Sequence, residues 1–524
     1  MPEIQTDTEV NTEIPNAEPS RQNFDMADFH PVNYPSLALQ TYESFGGDPN
    51  RVFSKVDFAM GRSVHLKMEF PKLVDTEYFD AAETELKDRL QLALTTLGKD
   101  SVTVSSIRYR LEEVEFLRVS QKLNNPGQSD DRQATAEKFV ELSEKLYGKP
   151  DHELANSMLG TAKRNSNLAD PRVAVLWGEI ESGFSTTLWC GEVVEVGAVV
   201  VPDEFEELPS LSPEAIQMLR KEWKLFRGTL VEAQALIQDI VAAEKGLDID
   251  YDNNEVVFSG KRLHDAFVLG AIGLSETLGI DRFNVMLDQN GSSASWESKD
   301  QAVVVGANRS ASMGANDKVT GTMPHESVHA IKSVNGAKSD EPALSTGVFT
   351  KDENGDWISY LDYEEGNNKI GESVLSSDEV PETMQYDYVY SVISSLAYKG
   401  FDDRQIAEVM KKLVLIEKLS KNPNIKIHVA EAEIAEDVTA KIERVFRGTP
   451  CDPQLRVNGN MPILTKDTAY NRGYYSKAVP FWNEVAKWAL ATEDPQAVIH
   501  QEFERQNKGK ADFSDPRQSA LIAA

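Results

Sequence analysis

Two histidines and a glutamate lie at the spacing that metal-dependent hydrolysis requires. The segment reads His325-Glu326-Ser327-Val328-His329. On an α-helix four residues turn about 400°, so the two imidazoles lie about 40° apart on one face and can share a metal. Glu326 lies about 100° round from His325, where its carboxylate can take a proton from a zinc-bound water whose pKa the metal lowers toward about 7. The motif predicts peptide-bond hydrolysis on zinc.

A third protein ligand must come from elsewhere in the chain. A catalytic zinc normally takes three protein ligands and keeps one position for water. The histidines outside the motif show no ligand spacing, but Glu364 and Glu365 follow His329 by 35 and 36 residues and precede Gly366. Adjacent residues of a helix or turn point about 100° apart, so the spacing alone does not select one carboxylate over the other.

The order of these residues resembles one known family. The two histidines, Asn335-Gly336 and Glu364-Glu365-Gly366 are similar to zinc tyrosine carboxypeptidases, a family first described as a domain of unknown function. It includes microtubule-associated tyrosine carboxypeptidases and many bacterial proteins. The order and approximate spacing are kept from about residue 100 to 490. Three further stretches agree: Leu146-Tyr147-Gly148-Lys149-Pro150, Val445-Phe446-Arg447-Gly448 and Thr465-Lys466-Asp467-Thr468-Ala469-Tyr470-Asn471-Arg472-Gly473.

The resemblance implies a role for each residue of the motif. His325 and His329 would be the zinc histidines, Glu326 the general acid/base and Glu365 the third ligand. Glu364 stays open as an alternative ligand or as a partner that orients a histidine. The implied reaction is removal of a C-terminal aromatic residue, Tyr or Phe, from a peptide or protein.

Two positions depart from the family pattern. The second histidine comes four residues after the first, where relatives have five, while the distance from His329 to Asn335 is kept. Either this chain has the regular spacing of ordinary zinc peptidases, or its helix start near Pro324 has shifted and the site is damaged. The first interpretation is favoured because every residue type survives and the spacing suits a helix. Asn367 stands where relatives have an apolar residue.

A carboxypeptidase needs a cation to hold the free carboxylate of its substrate, because a charge-assisted contact survives in a partly dry pocket. Lys332 stands where relatives resemble one another in having arginine. For each candidate cation the alternative interpretation is an ordinary solvated surface charge. Tyr470 is either a hydrogen-bond donor to the transition state or a residue that only packs. The candidate substrate-binding residues are Lys332, Lys466, Tyr470 and Arg472, with Arg447 as a further alternative.

Helices and short strands must position these residues. The run Ala302–Val305 precedes the motif and is either an edge strand that pairs with substrate backbone or a buried core strand. Apolar spacing predicts helices at Tyr78–Leu97, Ile107–Leu123, around Phe139–Leu146, after Ser212-Pro213, and at Leu263–Leu278, Tyr386–Tyr398, Asp403–Leu419 and Val479–Ala491. β-Branched runs predict short strands at Val173–Trp177, Val193–Val196, Val199–Val201 and Phe283–Leu287.

The predicted fold class is α+β and mostly helical. It contains a zincin-like metallopeptidase domain, with a small β-sheet preceding the motif helix, and an N-terminal helical region. The predicted organisation is a disordered acidic tail over 1–40, a mostly helical region over 41–210, the zinc metallopeptidase domain over 211–500 and a C-terminal tail over 501–524.

The composition of the chain excludes some classes of binding partner. The 524 residues carry a formal net charge of −31, which repels phosphate backbones and anionic lipids, so nucleic acid and membranes are unlikely partners. Two cysteines, no signal-peptide pattern and no long apolar run favour a soluble cytoplasmic protein. The alternatives to a zinc carboxypeptidase are a catalytically inactive relative that binds a partner and a zinc endopeptidase. The oligomeric state is not fixed by the sequence.

Overall fold

The protein is mostly helical with small sheets. The structure is a computed structural model, and it confirms the predicted α+β class. The predicted tail over 1–40 lies outside the described residues. No helix in the described parts is both long and apolar enough to cross a membrane. The structure describes residues 56–66, 76–124, 131–223, 249–250, 255–289, 294–297, 301–307, 310–313, 322–376, 388–425 and 427–522.

Helices occupy most of the described part of the chain before residue 183. Three of them begin at an aspartate whose side chain accepts a backbone N–H of the first turn: Asp131, Asp151 and Asp170. Gly148 ends one of these helices with a φ of 79°, a backbone conformation that favours glycine. The helices are α1 Thr76–Thr96, α2 Val102–Asn124, α3 Arg132–Tyr147, α4 His152–Asn165 and α5 Pro171–Ser182.

The strand predicted at Val173–Trp177 is wrong, because this segment lies in α5. Asp170 caps the helix and Pro171 occupies its first turn, and these start signals outweigh the strand preference of the valines. Val173, Trp177 and Ile180 are spaced at four and three residues and are buried on one face. The strand prediction at Val193–Val196 is confirmed, as β2 pairs antiparallel with β1 (Phe184–Thr187).

Two three-stranded sheets precede the motif helix. The helix predicted at Leu263–Leu278 is found between a strand of one sheet and a strand of the other. Ser212 Oγ accepts the N–H of Ala215 and so caps the helical residues 213–223. One sheet has β4 in its centre and the other has β7 in its centre. The elements are β3 Ile249–Asp250, β4 Glu255–Ser259, α6 Gly260–Leu278, β5 Asn284–Asp288, β6 Ala294–Glu297, β7 Ala302–Gly306 and β8 Ser310–Met313.

The edge-strand interpretation of Ala302–Val305 is wrong. These residues form β7, which pairs parallel with β5 on one side and antiparallel with β6 on the other. Both of its edges are therefore occupied, and four of its five residues are buried. Substrate backbone has no strand edge to pair with here, so the alternative interpretation, a core strand, is correct.

The motif helix and the helices after it complete the fold. The helices predicted at Tyr386–Tyr398, Asp403–Leu419 and Val479–Ala491 are found with slightly different ends. The remaining elements are α7 Thr322–Gly336, α8 Ala343–Thr346, β9 Phe349–Lys351, β10 Trp357–Ser359, α9 Tyr360–Ser376, α10 Tyr388–Ala397, α11 Asp403–Lys421, α12 Ile427–Val445, α13 Ala469–Arg472, a π-helical turn Gly473–Ala478, α14 Val479–Ala489, α15 Pro495–Gln506 and α16 Pro516–Ser519.

Residues 501–522 belong to the folded core, so the predicted C-terminal tail is wrong for this range. Phe513 and Ile522 are buried in the same apolar cluster as Val328 and Ile331 of the motif helix. Two other clusters combine residues from before and after position 210. Residues on the two sides of the predicted boundary at 210 therefore pack into the same apolar clusters.

Candidate metal centre

Helix α7 holds both motif histidines in the interior. Val328 and Ile331 face the apolar cluster, as the helical spacing predicts. The rings of His325 and His329 lie with their centroids 5.0 Å apart. The interval of four residues therefore places both imidazoles on one helix face.

A carboxylate from a second helix completes a group that can hold a metal ion. Ligand atoms of His325, His329 and Glu365 all lie within 4.8 Å of one another. Oε2 of Glu365 lies 3.1 Å from Nε2 of His325, and its Oε1 lies 3.8 Å from Nε2 of His329. All three residues are buried. Two imidazole nitrogens and one carboxylate are a donor set that suits zinc.

The structure distinguishes the two adjacent glutamates. Glu365 of α9 points to the Nε2 atoms, whereas Glu364 hydrogen bonds Nδ1 of His329. The metal-binding group contains Glu365 and not Glu364. Glu364 therefore has the geometry of the orienting partner, because neighbouring helical residues point about 100° apart and only one can face the two Nε2 atoms.

Each histidine has a carboxylate on the ring nitrogen that faces away from the group. Oε1 of Glu372 lies 2.6 Å from Nδ1 of His325, and Glu364 contacts Nδ1 of His329. Such carboxylate partners fix ring orientation and raise the basicity of the ligating nitrogen. Sequence reasoning missed Glu372. Its interval of seven residues from Glu365 puts both on one face of α9, and this spacing is the signal that could have found it.

At this site, burial and the neighbouring charged groups have opposite effects on the pKa values. Burial lowers the pKa of His325, but hydrogen bonds to Glu365 and Glu372 outweigh it and raise that pKa to about 10. Burial raises the pKa of Glu364, but Lys332, Lys510 and His329 outweigh it and hold that pKa at about 2. The site is thus built around buried negative charge, which a metal cation can balance.

The predicted base, Glu326, is adjacent in the chain to a residue of the metal-binding group. Glu326 is half-buried in the first turns of α7 and follows His325 directly. Burial lowers the pKa of Lys510, and Glu364, Glu365 and Glu326 all oppose this shift. Glu326 therefore raises the pKa of the same lysine as Glu364 and Glu365 do.

Lys332 does not have the position predicted for a substrate anchor. Its side chain is 0% exposed, and its Nζ lies 3.9 Å from Oε2 of Glu364. Nζ of Lys510 lies 3.9 Å from the other oxygen of Glu364. Burial lowers the pKa of both lysines, although Glu364 opposes the shift. The two cations therefore support Glu364 inside the protein, where a substrate carboxylate does not reach Lys332.

Arg472 is also engaged inside the protein. Its Nε and Nη2 donate to the two oxygens of Asp362 at 2.7 and 2.9 Å, and Nη2 also donates to the carbonyl of Tyr147 at 2.8 Å. This two-pronged geometry is the strong form of an arginine–carboxylate contact. These contacts join α13 to α9 and α3, and the role of Arg472 in substrate binding stays a prediction.

The other predicted anchors lie close together near Asp467. Arg447 is 5% exposed and donates to Oδ2 of Asp467 at 3.3 Å. Lys466 is half-buried, precedes Asp467 and helps to lower its pKa against the effect of burial. Tyr470 is half-buried, and burial followed by Glu365 raises its pKa well above the ordinary value. Of these residues, only Tyr470 has a pKa that a carboxylate of the metal-binding group is described as raising.

The Asp362–Arg472 pair yields a stability prediction. Arg472→Gln is expected to reduce the free energy of unfolding by about 3–5 kcal/mol in urea titrations, because it leaves a buried carboxylate without its main partner. Burial raises the pKa of Asp362, but Arg472 and Lys477 outweigh it, so the folded-state pKa lies below the ordinary one. The stability that Asp362 contributes is present above the unfolded pKa and is lost as pH falls through the folded pKa. The difference between wild type and variant should therefore narrow below about pH 4.

Arg517→Gln is the matched control for this experiment. Arg517 makes the same type of pair with Asp515, but its side chain is 49% exposed, so the change should stay within about 0.5 kcal/mol. Unchanged stability of Arg472→Gln together with weakened peptide binding would support the predicted role of Arg472 in substrate binding.

Two of the family-like stretches meet in space. A Cβ on Gly366 would lie 2.2 Å from the backbone of Gly473, and a Cβ on Gly473 would lie 1.7 Å from the carbonyl oxygen of Asp362. Only glycine allows the backbones to approach this closely. Asn367 accepts a hydrogen bond of 2.8 Å from Nε1 of Trp482, which explains a polar residue at this buried position.

No family model matches the sequence, and neither a curated protein nor a solved structure matches it significantly. The resemblance to tyrosine carboxypeptidases therefore stays a prediction. The functional argument rests on the geometry of the site.

Proposed function

We propose that the protein is a zinc-dependent metallopeptidase with a zincin-like catalytic region. It acts in the cytoplasm as a carboxypeptidase that removes a C-terminal aromatic residue. The observation that carries this proposal is the buried group of His325, His329 and Glu365, in which each histidine has a carboxylate partner on its other nitrogen. Ligands with such outer partners are characteristic of functional metal sites.

The chemistry is divided between the ion and the protein. Bound zinc polarises a scissile carbonyl and lowers the pKa of water. His325, His329 and Glu365 would hold the ion with two nitrogens and one oxygen, the number of protein ligands typical of a catalytic zinc. Glu326 accepts the proton of the attacking water and then donates it to the leaving amine.

The shortened motif is better explained as a regular site than as a damaged one. A shifted helix start would separate the ligands, but His325 and His329 share one face of α7 and Glu365 lies close to both. Removal of a terminal residue and the aromatic preference are inferred from the resemblance. An endopeptidase differs from this proposal in one testable respect, because it does not require a free carboxylate.

The proposal is tested by assaying the zinc-loaded full chain on paired peptides. Peptides ending in Tyr are expected to lose that residue when the terminus is a free acid and to resist when it is an amide. A chelator should abolish the activity and added zinc should restore it, because the ligands hold the reacting ion. Cleavage of both peptides at internal bonds would identify an endopeptidase, and no cleavage by zinc-loaded protein would identify a binding protein.

A further inference from the structure

Two tyrosines and three cations form a cluster on four helices. We name it the Tyr390–Tyr470 cluster, and it also contains Lys369, Lys441 and Arg444. The two tyrosine rings lie with centroids 6.0 Å apart. Cζ of Arg444 lies 5.2 Å from the centroid of Tyr390 and 5.6 Å from that of Tyr470. Nζ of Lys441 lies 5.7 Å from the Tyr390 ring, and Nζ of Lys369 lies 5.7 Å from the Tyr470 ring.

The cluster adjoins the metal-binding group. Nζ of Lys369 donates to Oε2 of Glu372 at 2.9 Å, and the other oxygen of Glu372 contacts His325. The contact between Lys369 and Glu372 therefore joins the cluster to the metal-binding group through His325.

Arg444 is held in a fixed orientation at this cluster. Its Nη2 donates to Oδ1 of Asp467 at 3.1 Å, and Asp467 is itself almost completely buried. The Arg444 side chain remains 42% exposed. The planar shape and the fixed N–H donors of a guanidinium suit carboxylate binding. Arg444 thus combines a fixed position, accessibility and the chemistry for binding an anion.

The charge of the cluster contrasts with that of the chain. The whole sequence has a formal net charge of −31, yet three cations converge on two aromatic rings here. Of the cations predicted as anchors, Lys332 is fully buried behind Glu364 and Arg472 is paired with Asp362. A substrate with a negatively charged terminus would therefore be drawn to the cluster rather than to those residues.

We propose that Arg444 binds the free α-carboxylate of the substrate's C-terminal residue, with Tyr390 and Tyr470 forming the walls of that subsite. The inference rests on the proposed carboxypeptidase activity and adds the residue that recognises the substrate terminus. Lys369 and Lys441 add positive charge on either side of the rings. The aromatic walls also suit an aromatic terminal residue, because offset or edge contacts between rings are favourable.

Binding to the full chain carrying Glu326→Gln tests this assignment without turnover. The probes are a fluorescent peptide ending in Tyr as a free acid and the same peptide as an α-amide, measured by fluorescence anisotropy in the zinc-loaded protein. Arg444→Gln is expected to weaken binding of the free acid about 10- to 100-fold and to leave the amide nearly unchanged, because a charge-assisted contact is lost. Arg444→Lys should restore part of the preference.

Arg164→Gln is the matched control. Arg164 is also about half exposed, pairs with Glu207 at 2.7 Å and lies with Cζ 4.5 Å from the ring centroid of Phe205. It shares the ion pair and the aromatic contact but belongs to α4, so its substitution should leave the acid-to-amide preference intact. Thermal unfolding should show that Arg444→Gln folds, because Arg447 still pairs with Asp467.

The outcomes separate the two proposals. If Arg444→Gln weakens acid and amide equally, or neither, the assignment of Arg444 is wrong even when the enzyme hydrolyses peptides. If the wild-type protein hydrolyses no peptide, the proposed function fails whatever Arg444 does. A preference for the free acid that disappears in Arg444→Gln and returns in Arg444→Lys supports the assignment.

Discussion

Glu326→Gln is expected to reduce peptide hydrolysis about 10²- to 10⁴-fold while the bound metal is retained. Glutamine keeps the size and shape of the side chain but cannot accept a proton at neutral pH. Glu326 is not a member of the group that can hold the metal, so removing its charge leaves the three ligands in place. The measurement is kcat on a free-acid peptide together with metal content for the same protein samples.

Glu222→Gln is the control for this substitution. Oε2 of Glu222 lies 2.8 Å from Nδ1 of His500, so it also belongs to a histidine–carboxylate pair, but it is not part of the metal-binding group. Wild-type activity is expected for this variant. A Glu326→Gln protein with normal kcat would show that another group transfers the proton. A variant that loses its metal would instead make Glu326 a structural member of the site.

Removing any one of the three ligands is expected to abolish metal binding. Protein purified without chelator should contain about one zinc per chain by elemental mass spectrometry, and His325→Ala, His329→Ala and Glu365→Ala should contain close to none. Two remaining ligands cannot offset the desolvation of the ion as three do. Because metal content is measured directly, this result does not depend on finding the right peptide.

Substituting the carboxylates that orient the histidines should affect zinc binding less than removing a ligand does. Glu364→Gln and Glu372→Gln are expected to keep the site but to weaken zinc binding about 10- to 100-fold, because each orients a histidine without contacting the ion. Competition with a chelator of known affinity measures this difference, and Glu222→Gln should bind zinc like wild type. Complete loss of metal in Glu364→Gln but not in Glu365→Ala would exchange the roles of the two glutamates. Absence of metal from wild type after zinc addition would refute the site.

The parts of the site that follow from local geometry could be predicted from the sequence. His325 and His329 share a face because an α-helix repeats at 3.6 residues, whatever surrounds it. The same reasoning left Glu364 and Glu365 unresolved, since the rotation of α9 about its axis is set by packing. That packing includes Gly366 against Gly473, more than 100 residues further along the chain.

Packing between segments distant in sequence also explains where the structure differs from the predictions. Lys332 is close to the motif in sequence and Arg472 is far from it, but their partners Glu364 and Asp362 both come from α9, which sequence spacing does not position relative to them. No motif marks Arg444, and its position next to Tyr390 and Tyr470 depends on the packing of α12 beside α10 and α13. At Val173–Trp177 the β-branched composition predicts a strand, but the helix start at Asp170-Pro171 determines the structure.

The position of Lys510 has a consequence for the biosynthesis of the protein. Its N–H donates to the carbonyl of Leu344 at 2.8 Å, its carbonyl accepts from Val348 at 3.0 Å, and its ammonium group supports Glu364. A ribosome makes the chain from its N-terminus, so His325, His329 and Glu365 are all synthesised long before residue 510. The nascent chain therefore has its ligands without the lysine that holds Glu364 against His329. Zinc captured during translation is therefore expected to be bound more weakly than zinc in the finished protein.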